Sequence, residues 1–356
     1  MMNTNKKTTI KDVAAAAGVS VATVSFVLNN RANVKMETRV RVLQAIEETG
    51  YVPNSSARAL VTKKKGVIGV LQNRFEPGNA ADQERYAFDA SPNTYLADML
   101  DAIVAEASKA NSNMLMDSVF WGDHIPANGW ETPSAMDSSR IDGMLWIGGI
   151  LHPAHLEKLN KLTLPVALIG ARNDHYDWVD TDPEQGIYDM TRYVIERGHS
   201  KLAFINGMDA TQTSARKLDG FMKAIREAGI ALPEGAIEKS YFSGRGGYEA
   251  MERLLRLEER PTAVITAHDK VAVGAIHCLH AHGLHCPQDV SVTGYEDGML
   301  AEYSLPPLTT VYINKQKLGM SGSQVLINRI ANPKAKQVKL LLPPRLIVRE
   351  SVRSLR

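Results

Sequence analysis

A run of small, hydroxyl-bearing and apolar side chains between residues 9 and 29 has the types and spacing that suit the edges of base pairs. Thr9 precedes an alanine-rich segment, and Asp12 three residues later completes a helix-capping box. Gly18 supplies a turn, and Ser20 is placed to cap a second helix. The inward positions of that helix are Val24, Val27 and Leu28, and its outward positions are Val21, Ala22, Ser25, Phe26 and Asn29.

Two short helices joined in this way form a helix-turn-helix, whose second helix enters the major groove of double-stranded DNA. The residues expected to contact DNA are Thr9, Lys11, Ser20, Val21, Ala22, Thr23, Ser25, Phe26 and Asn29. An ordinary helical hairpin would show the same loose pattern. The flanks favour the DNA-binding interpretation, because Lys6 and Lys7 before the first helix are placed to meet phosphates. A third helix, predicted from about Glu37 to Thr49, adds Arg39 and Arg41.

The composition bounds the class of protein. At 356 residues with 44% hydrophobic residues, the chain is long enough for several cores. A net charge of only +2 means that affinity for nucleic acid must come from local basic clusters, and residues 1–65 are visibly basic. No apolar run is long enough for a secretory signal or a membrane span, and two cysteines make no disulfide framework. We therefore expect a cytoplasmic protein.

The segment YVPNSSARAL at 51–60, followed by VTKKKG, resembles the LacI/GalR family of bacterial transcriptional regulators. In that family this segment is a hinge helix that folds on operator DNA and pairs with its copy across a homodimer. The resemblance makes Asn54 the N-cap and places Ala57 and Arg58 at the DNA. Leu60 matches the leucine that wedges into the minor groove and bends the duplex. Read without the family, residues 54–60 are too short to hold a helix alone and would be a linker.

The resemblance continues to about residue 352. The matching segments are RIDGML at 140–145, ERGHSKLAF at 196–204, PTAVI at 261–265, DVSVTGY at 289–295 and PPLTTV at 306–311. Apolar runs alternate with amphipathic segments from Gly66 onward, which predicts parallel sheets covered by helices. Two such series indicate two lobes with a cleft between them, at the carboxyl ends of the strands.

We thus predict an α/β fold: an all-α helix-turn-helix headpiece plus a two-lobed core that resembles periplasmic binding proteins. The expected bounds are 1–50 for the headpiece and 51–65 for the hinge. One lobe takes 66–171 with 313–342, and the other takes 172–312 with 343–356. The predicted strands are Val67–Leu71, Met114–Phe120, Met144–Ile147, Val166–Ile169, Leu202–Ile205, Ala263–Ala267 and Val290–Thr293.

The effector pocket implied by the family differs here at several positions. Lys217 stands where relatives often carry arginine, so the mobile ammonium group of lysine replaces the planar guanidinium group of arginine. His268 replaces the asparagine of an Asn-Asp pair, and Glu296 replaces the aspartate of a Gly-aromatic-Asp-Asp run. Phe242 matches an aromatic that stacks on ligand rings, and Tyr95 matches a pocket-facing residue of the first core helix. These five residues are the expected effector site, and each could instead be structural.

Residues 73–93 form a longer segment than the short loop expected between the first strand and the first core helix. The segment is polar and rich in turn residues, with Pro77, Gly78 and Pro92. It is either a lid over the effector or a solvated insertion.

The segment HCLHAHGLHC at 277–286 has metal-ligand residue types at dense spacing. His277 and His280 share a helix face, as do Cys278 and His282. The family carries arginine and lysine on this helix, near the dimer interface, so we expect histidines at a wet surface and no obligatory metal. A pH- or metal-sensitive dimer contact is the alternative.

Enzyme motifs are weak in this chain, and we expect no enzyme and no cofactor. The segment GRGGY at 244–248 resembles half a dinucleotide-binding loop but lacks the third glycine. No G-x-S-x-G elbow occurs, and Ser321 lies in a predicted helix. A small-molecule binding protein of the transport type, without sequence-specific DNA binding, is the rival class. The missing signal peptide and the attached DNA reader argue against it.

We expect a homodimeric, cytoplasmic repressor that joins the nucleoid when bound to a pseudo-palindromic operator. A small molecule, a sugar or related metabolite, would fill the interlobe cleft and bias the closure of the two lobes. Closure would in turn decide whether the hinge helices pair. This is allostery only if the ligand binds the two closures with different affinity. An inducer would release DNA, and a corepressor would tighten binding.

Replacing Phe26 with Arg should shift base preference at the one position that this side chain faces. An apolar ring cannot make the bidentate contact to guanine that arginine makes, a difference of about 1–3 kcal/mol in discrimination. Sequencing of duplexes retained from a random pool measures the preference. The control variant Arg39→Ala, at an expected phosphate contact, should weaken binding to all sequences alike. Unchanged preference in Phe26→Arg would refute the assignment.

Overall fold

The computed structural model describes residues 8–28, 34–51, 64–75, 94–121, 133, 136–149, 153–209 and 211–356. The chain divides into two compact units, Met1–Lys65 and Gly66–Arg356, and each is described on its own. Among the residues expected to contact DNA, Asn29, Asn54, Ala57, Arg58 and Leu60 lie outside the described residues, as does most of the predicted hinge helix. So does the part of the 73–93 segment that follows Phe75.

The described residues of the first unit form the helices α1 (Ile10–Ala17), α2 (Val21–Leu28) and α3 (Met36–Thr49). The backbone N–H of Thr9 donates to Asp12 Oδ2 at 2.7 Å, as the capping box predicts. Gly18 ends α1 in the left-handed region at φ 62°, and Ser20 Oγ accepts from the N–H of Thr23 at 3.1 Å to cap α2. The apolar core is Val13, Ala14, Ala17, Val24, Val27, Val42 and Ala45.

The second unit begins with the elements of a first lobe. In chain order these are β1 (Val67–Phe75), α4 (Thr94–Lys109), β2 (Asn113–Trp121), β3 (Gly143–Ile147), α5 (Pro153–Lys161), β4 (Val166–Ile169) and β5 (Asp177–Thr181). A second lobe follows with α6 (Pro183–Glu196), β6 (Leu202–Asn206), α7 (Gln212–Glu227), β7 (Ile237–Lys239), α8 (Gly244–Leu254), β8 (Ala263–Thr266), α9 (Asp269–Ala281), β9 (Ser291–Thr293) and α10 (Met299–Tyr303). The chain ends with β10 (Thr310–Tyr312), α11 (Lys315–Ala331), β11 (Lys339–Leu342) and β12 (Arg345–Ile347).

Both lobes are built on parallel sheets, as predicted. The first sheet has the order β11-β5-β4-β3-β1-β2, and the second has the order β7-β6-β8-β9. Strands β10 and β12 form an antiparallel ribbon. In β3, Leu145 and Ile147 pack with the helices α4 and α11, whereas Met144 and Trp146 face the opposite side of the sheet. This alternation explains why β3 is apolar throughout.

Two expected boundaries are wrong. The first lobe is expected to end at Ala171 before the chain enters the second lobe. Strand β5 instead pairs with β4 and with β11 in the first sheet, so the chain leaves the first lobe only after Thr181. The acidic residues of the segment DWVDT hide this strand from an apolar pattern. The loop expected from residue 73 begins later, because β1 continues to Phe75 in register with Trp121.

Helices α7, α8 and α9 begin at Gln212, Gly244 and Asp269. A side chain caps each start: Thr211, Ser243 and His268 accept from backbone N–H groups. The glycines of GRGGY are explained by packing. A Cβ at Gly247 would lie 2.2 Å from the carbonyl oxygen of Val271, so glycine lets α8 approach α9 closely.

Within the described residues, no single helix is long and apolar enough to cross a membrane, although α1 and α2 taken together pass that test across a 102° bend.

Candidate functional site

A cleft of about 260 Å³ lies between the lobes, where the carboxyl ends of strands from both sheets meet. All five residues expected at the effector site line it: Tyr95, Lys217, Phe242, His268 and Glu296. The sequence interpretation missed Asn73, Gly148, Gly149, Gly170, Asp180, Thr181, Met208, Thr211, Thr213, Tyr295 and Ile313. Asp180 and Thr181 were missed because they lie on β5, a strand that the apolar pattern did not predict. Position at a strand end is the signal that could have found most of the others.

The backbone around the cleft is strained. Four of the non-glycine residues with positive φ lie here: Tyr241 at 54°, Phe242 at 56°, Glu296 at 110° and Asp297 at 57°. A Cβ at Gly207 would lie 2.0 Å from the Phe242 ring, so glycine is required beneath that ring. Such strain persists only where surrounding contacts hold it, and it clusters at ligand-binding sites.

Glu296 is a buried carboxylate with partners on two sides. His268 Nε2 lies 3.3 Å from Glu296 Oε1, and Lys315 Nζ lies 3.6 Å from Glu296 Oε2. Burial alone would raise the pKa of Glu296, but His268, Lys315 and Lys217 together hold it at about 2. The N–H of Lys270 donates to His268 Nδ1 at 3.0 Å, so the imidazole carries its proton on Nε2 and directs it at Glu296. The cleft therefore presents an ionised, oriented hydrogen-bond acceptor.

Lys217 is the buried cation of the cleft and is only 2% exposed. Its Nζ donates to the carbonyl oxygen of Ala267 at 2.6 Å and lies 3.6 Å from the centre of the Tyr295 ring. Burial lowers the pKa of Lys217 to about 8, against the opposing pull of Glu296, Asp269 and Asp180. The folded protein thus holds an ammonium group whose charge costs stability.

Asp269, at the start of α9, ties the ribbon to the wall of the cleft. Thr310 Oγ1 donates to its Oδ1 at 2.7 Å, and the N–H of Gly298 donates to its Oδ2 at 2.9 Å. Burial raises the pKa of Asp269 to about 6, although these donors and His268 oppose the rise. A Cβ at Gly294 would lie 2.2 Å from Oδ1, so glycine there makes room for the carboxylate.

Gln212, the first residue of α7, bridges the two lobes beside the cleft. Its amide exchanges two hydrogen bonds of 3.1 Å with the backbone of Arg172, and its own N–H donates to the carbonyl of Gly149 at 3.2 Å. Arg172 in turn pairs with Asp180 at 2.7 Å, which orients a carboxylate that lines the cleft. The second lobe is therefore held against the first by directional bonds.

The expected DNA-contacting residues of the first unit separate into two groups. Val21, Ala22 and Phe26 are exposed on α2, with Phe26 40% exposed, and Lys11 is exposed on α1. Thr9, Ser20 and Thr23 use their side chains locally: Thr9 bonds Asp12, and the hydroxyls of Ser20 and Thr23 lie 2.9 Å apart. Ser25 is half-buried. On α2 the first group offers apolar and small side chains to solvent, as a groove-reading helix requires.

The histidines at 277–285 lie at the exposed end of α9 and the turn after it. His282 Nδ1 lies 2.9 Å from the carbonyl oxygen of Cys278, and His280 stacks edge-on against His285 with ring centres 5.7 Å apart. Burial raises the pKa of the Cys278 thiol to about 11, which keeps it protonated. No three metal-ligating side chains converge anywhere in the described part of the chain.

Each of the two units matches a known protein family. Residues 9–54 match the description "bacterial regulatory proteins, lacI family", and residues 191–352 match a periplasmic binding protein-like domain. The transcriptional repressor PurR of Klebsiella pneumoniae (strain 342) is 34% identical over 348 residues, covering 97% of this chain and 96% of that protein. The structure of the regulator CelR with cellobiose is 26% identical with a TM-score of 0.69, covering 97% of this chain and 99% of the other. The structure of the lac repressor dimer bound to operator and the anti-inducer ONPF is 22% identical, with a TM-score of 0.78. The match covers 98% of this chain and 100% of the other, and it shows that the two share a fold.

Replacing Lys217 with Met should make the second unit more stable at pH 7 by up to about 3 kcal/mol, because the pKa falls from 10.5 to about 8 on folding. Between those values the unfolded chain binds more protons than the folded one, so wild-type stability rises with pH and the advantage of the variant disappears. Urea unfolding from pH 7 to 10, followed by tryptophan fluorescence, measures this, since all four tryptophans lie beyond residue 66. Parallel pH profiles for the two proteins would contradict the buried-charge assignment.

Proposed function

This chain belongs to the lacI family of bacterial regulatory proteins, and from that premise we propose how its residues carry out effector-controlled repression. It is a DNA-binding transcriptional repressor with an effector-binding domain. The observation that carries the proposal is the exposed face of α2, where Val21, Ala22 and Phe26 point away from the helix-turn-helix core. A face of this kind suits base edges. A chromosomal operator implies action in the cytoplasm, at the nucleoid.

Operator contacts are proposed in three sets. The base edges are contacted by Val21, Ala22 and Phe26. The phosphate backbone of the DNA is approached by a second set, which positions α2: Thr9, Lys11, Ser20, Thr23 and Ser25. Asn29, Asn54, Ala57 and Arg58 complete the contact, and Leu60 wedges into the central minor-groove step. All residues of this third set lie outside the described part of the chain. Asn29 is assigned from the outward positions of the second helix, and the others are assigned from the family resemblance.

The cleft is proposed to bind a small hydroxyl-rich molecule, a sugar or a related metabolite. Ionised Glu296 and the paired carboxylate of Asp180 accept from hydroxyls, and Lys217 donates. Phe242 and Tyr95 offer flat apolar faces to a ring. The similar regulator CelR holds cellobiose, which supports this class. The relatives are regulators rather than enzymes, and we propose that this cleft binds its ligand without transforming it.

An exposed apolar surface on the second lobe supports a homodimer. Met299 is 78% exposed, Tyr303 72% and Leu305 85%, all within a seven-residue stretch that includes α10. Large apolar side chains clustered at such exposure mark an interaction surface. A second copy of this chain is the proposed occupant, because a pseudo-palindromic operator requires two headpieces.

Selection of random duplexes by the purified full chain tests the proposed function. We expect an enriched pseudo-palindrome with a flexible central step, since a kinked step lowers the energy of bending. Retention without sequence preference that collapses as salt rises would show phosphate attraction alone. That result would favour a binding protein of the transport type over a repressor.

Replacing Tyr303 with Asp should weaken the dimer about thirtyfold, the equivalent of losing an aromatic hot spot of about 2 kcal/mol. Sedimentation equilibrium over a range of concentrations measures the dissociation constant. Ile237→Asp is the matched control, because Ile237 is 39% exposed on β7 of the same lobe. Equal dissociation constants for Tyr303→Asp and the control would place the interface elsewhere.

A further inference from the structure

Lys315 occupies the point where the chain passes from the ribbon strand β10 into helix α11. It is the first residue of α11 and is only 7% exposed. Its Nζ lies 2.5 Å from Asp98 Oδ2 and 3.6 Å from Glu296 Oε2. One ammonium group therefore serves two carboxylates.

Those two carboxylates belong to different lobes. Asp98 lies on α4, one turn after Tyr95, and α4 and α11 both pack on the first sheet. Glu296 follows β9 of the second sheet, and its N–H donates to the carbonyl of Val311 at 2.8 Å. The Asp98–Lys315–Glu296 triad is thus a charged bridge between the lobes, on different elements from the Gln212 bridge.

Glu296 and Lys315 have different positions relative to the cleft. Glu296 lines the cleft, whereas Lys315 does not. His268 lies 3.3 Å from Glu296 Oε1 and Lys315 lies 3.6 Å from Oε2, so each carboxylate oxygen has its own partner. A hydroxyl or amine that donates to Oε2 competes with Lys315, because the 3.6 Å ion pair is longer than a hydrogen bond and a closer donor draws that oxygen away from Nζ.

Charge makes this competition consequential. Burial would lower the pKa of Lys315, but Glu296, Asp98 and Asp269 raise it above its ordinary value. The charge of Lys315 is therefore stabilised by carboxylates of both lobes. When Glu296 turns to a ligand, Asp98 is the remaining close carboxylate, and the ion pair across the lobes weakens.

We propose that Lys315 is the positioning residue through which the first lobe senses occupation of the cleft, by competing with the effector for Glu296 Oε2. This inference rests on the proposed function. Its consequence is that loss of the Lys315–Glu296 pair imitates one effect of the bound effector. The closure equilibrium, and with it operator affinity, then shifts without any ligand.

The test is a double-mutant cycle on operator affinity, with no effector present and with the operator recovered by duplex selection as the probe. Lys315→Met and Glu296→Gln should each change the operator Kd in the same direction, by about fivefold or more. The double variant should match the single variants, because all three lack the same pair. Lys317→Met is the matched control: it removes a lysine from an exposed position of the same helix. Its Kd should stay within about twofold of wild type.

Lys315→Arg keeps the charge and should retain wild-type affinity. Lys315→Gln, which also removes the charge, takes the place of Lys315→Met in the cycle if that variant fails to fold, and it should shift the Kd in the same direction. Additive effects in the cycle, or opposite directions for the two single variants, would overturn the role of Lys315. A wild-type chain without operator preference would instead refute the proposed function itself.

Discussion

The burial of one ionised carboxylate, Glu296, is the constraint on which the rest of the cleft depends. An ionised carboxylate out of water is costly unless cations and hydrogen-bond donors surround it. His268 supplies a directed N–H, Lys315 supplies a cation from the other lobe, and Lys217 adds charge from α7. The backbone of Glu296 is held at φ 110° to meet these partners. The site is preorganised, because these partners must stay close to the carboxylate for it to remain ionised.

The same charges make the unliganded cleft less stable than an apolar core would be. Burial keeps the pKa of Lys217 near 8 and that of Asp269 near 6, so both groups pay for their charged forms at neutral pH. A ligand that hydrogen-bonds to these groups offsets that cost and favours the lobe arrangement in which it does so. Which closure the ligand prefers decides whether it acts as inducer or corepressor.

Much of this architecture was predictable, for reasons that differ between its parts. The capped helices of the first unit follow from Thr9, Gly18 and Ser20, whose local chemistry decides their roles. Apolar strands such as β3 were readable from pattern, and the five expected cleft residues were found through the family resemblance. Strand β5 was not readable, since its acidic residues are stabilised by long-range partners: Asp180 by Arg172, and Asp177 by Arg329. Lys315 was missed for the same reason, because its value lies in contacts 19 and 217 residues away.

The most direct measurement is the operator affinity of the full chain in the presence of a saccharide that stabilises it thermally. Mono- and disaccharides, cellobiose among them, are first screened against the wild type and Lys217→Met, to find a compound whose stabilising effect requires the cleft. Such a compound should change the wild-type operator Kd by about fivefold or more, in either direction, because occupation and closure are linked. A compound that stabilises the wild type but not Lys217→Met, and leaves the operator Kd unchanged, would contradict coupling between the cleft and DNA.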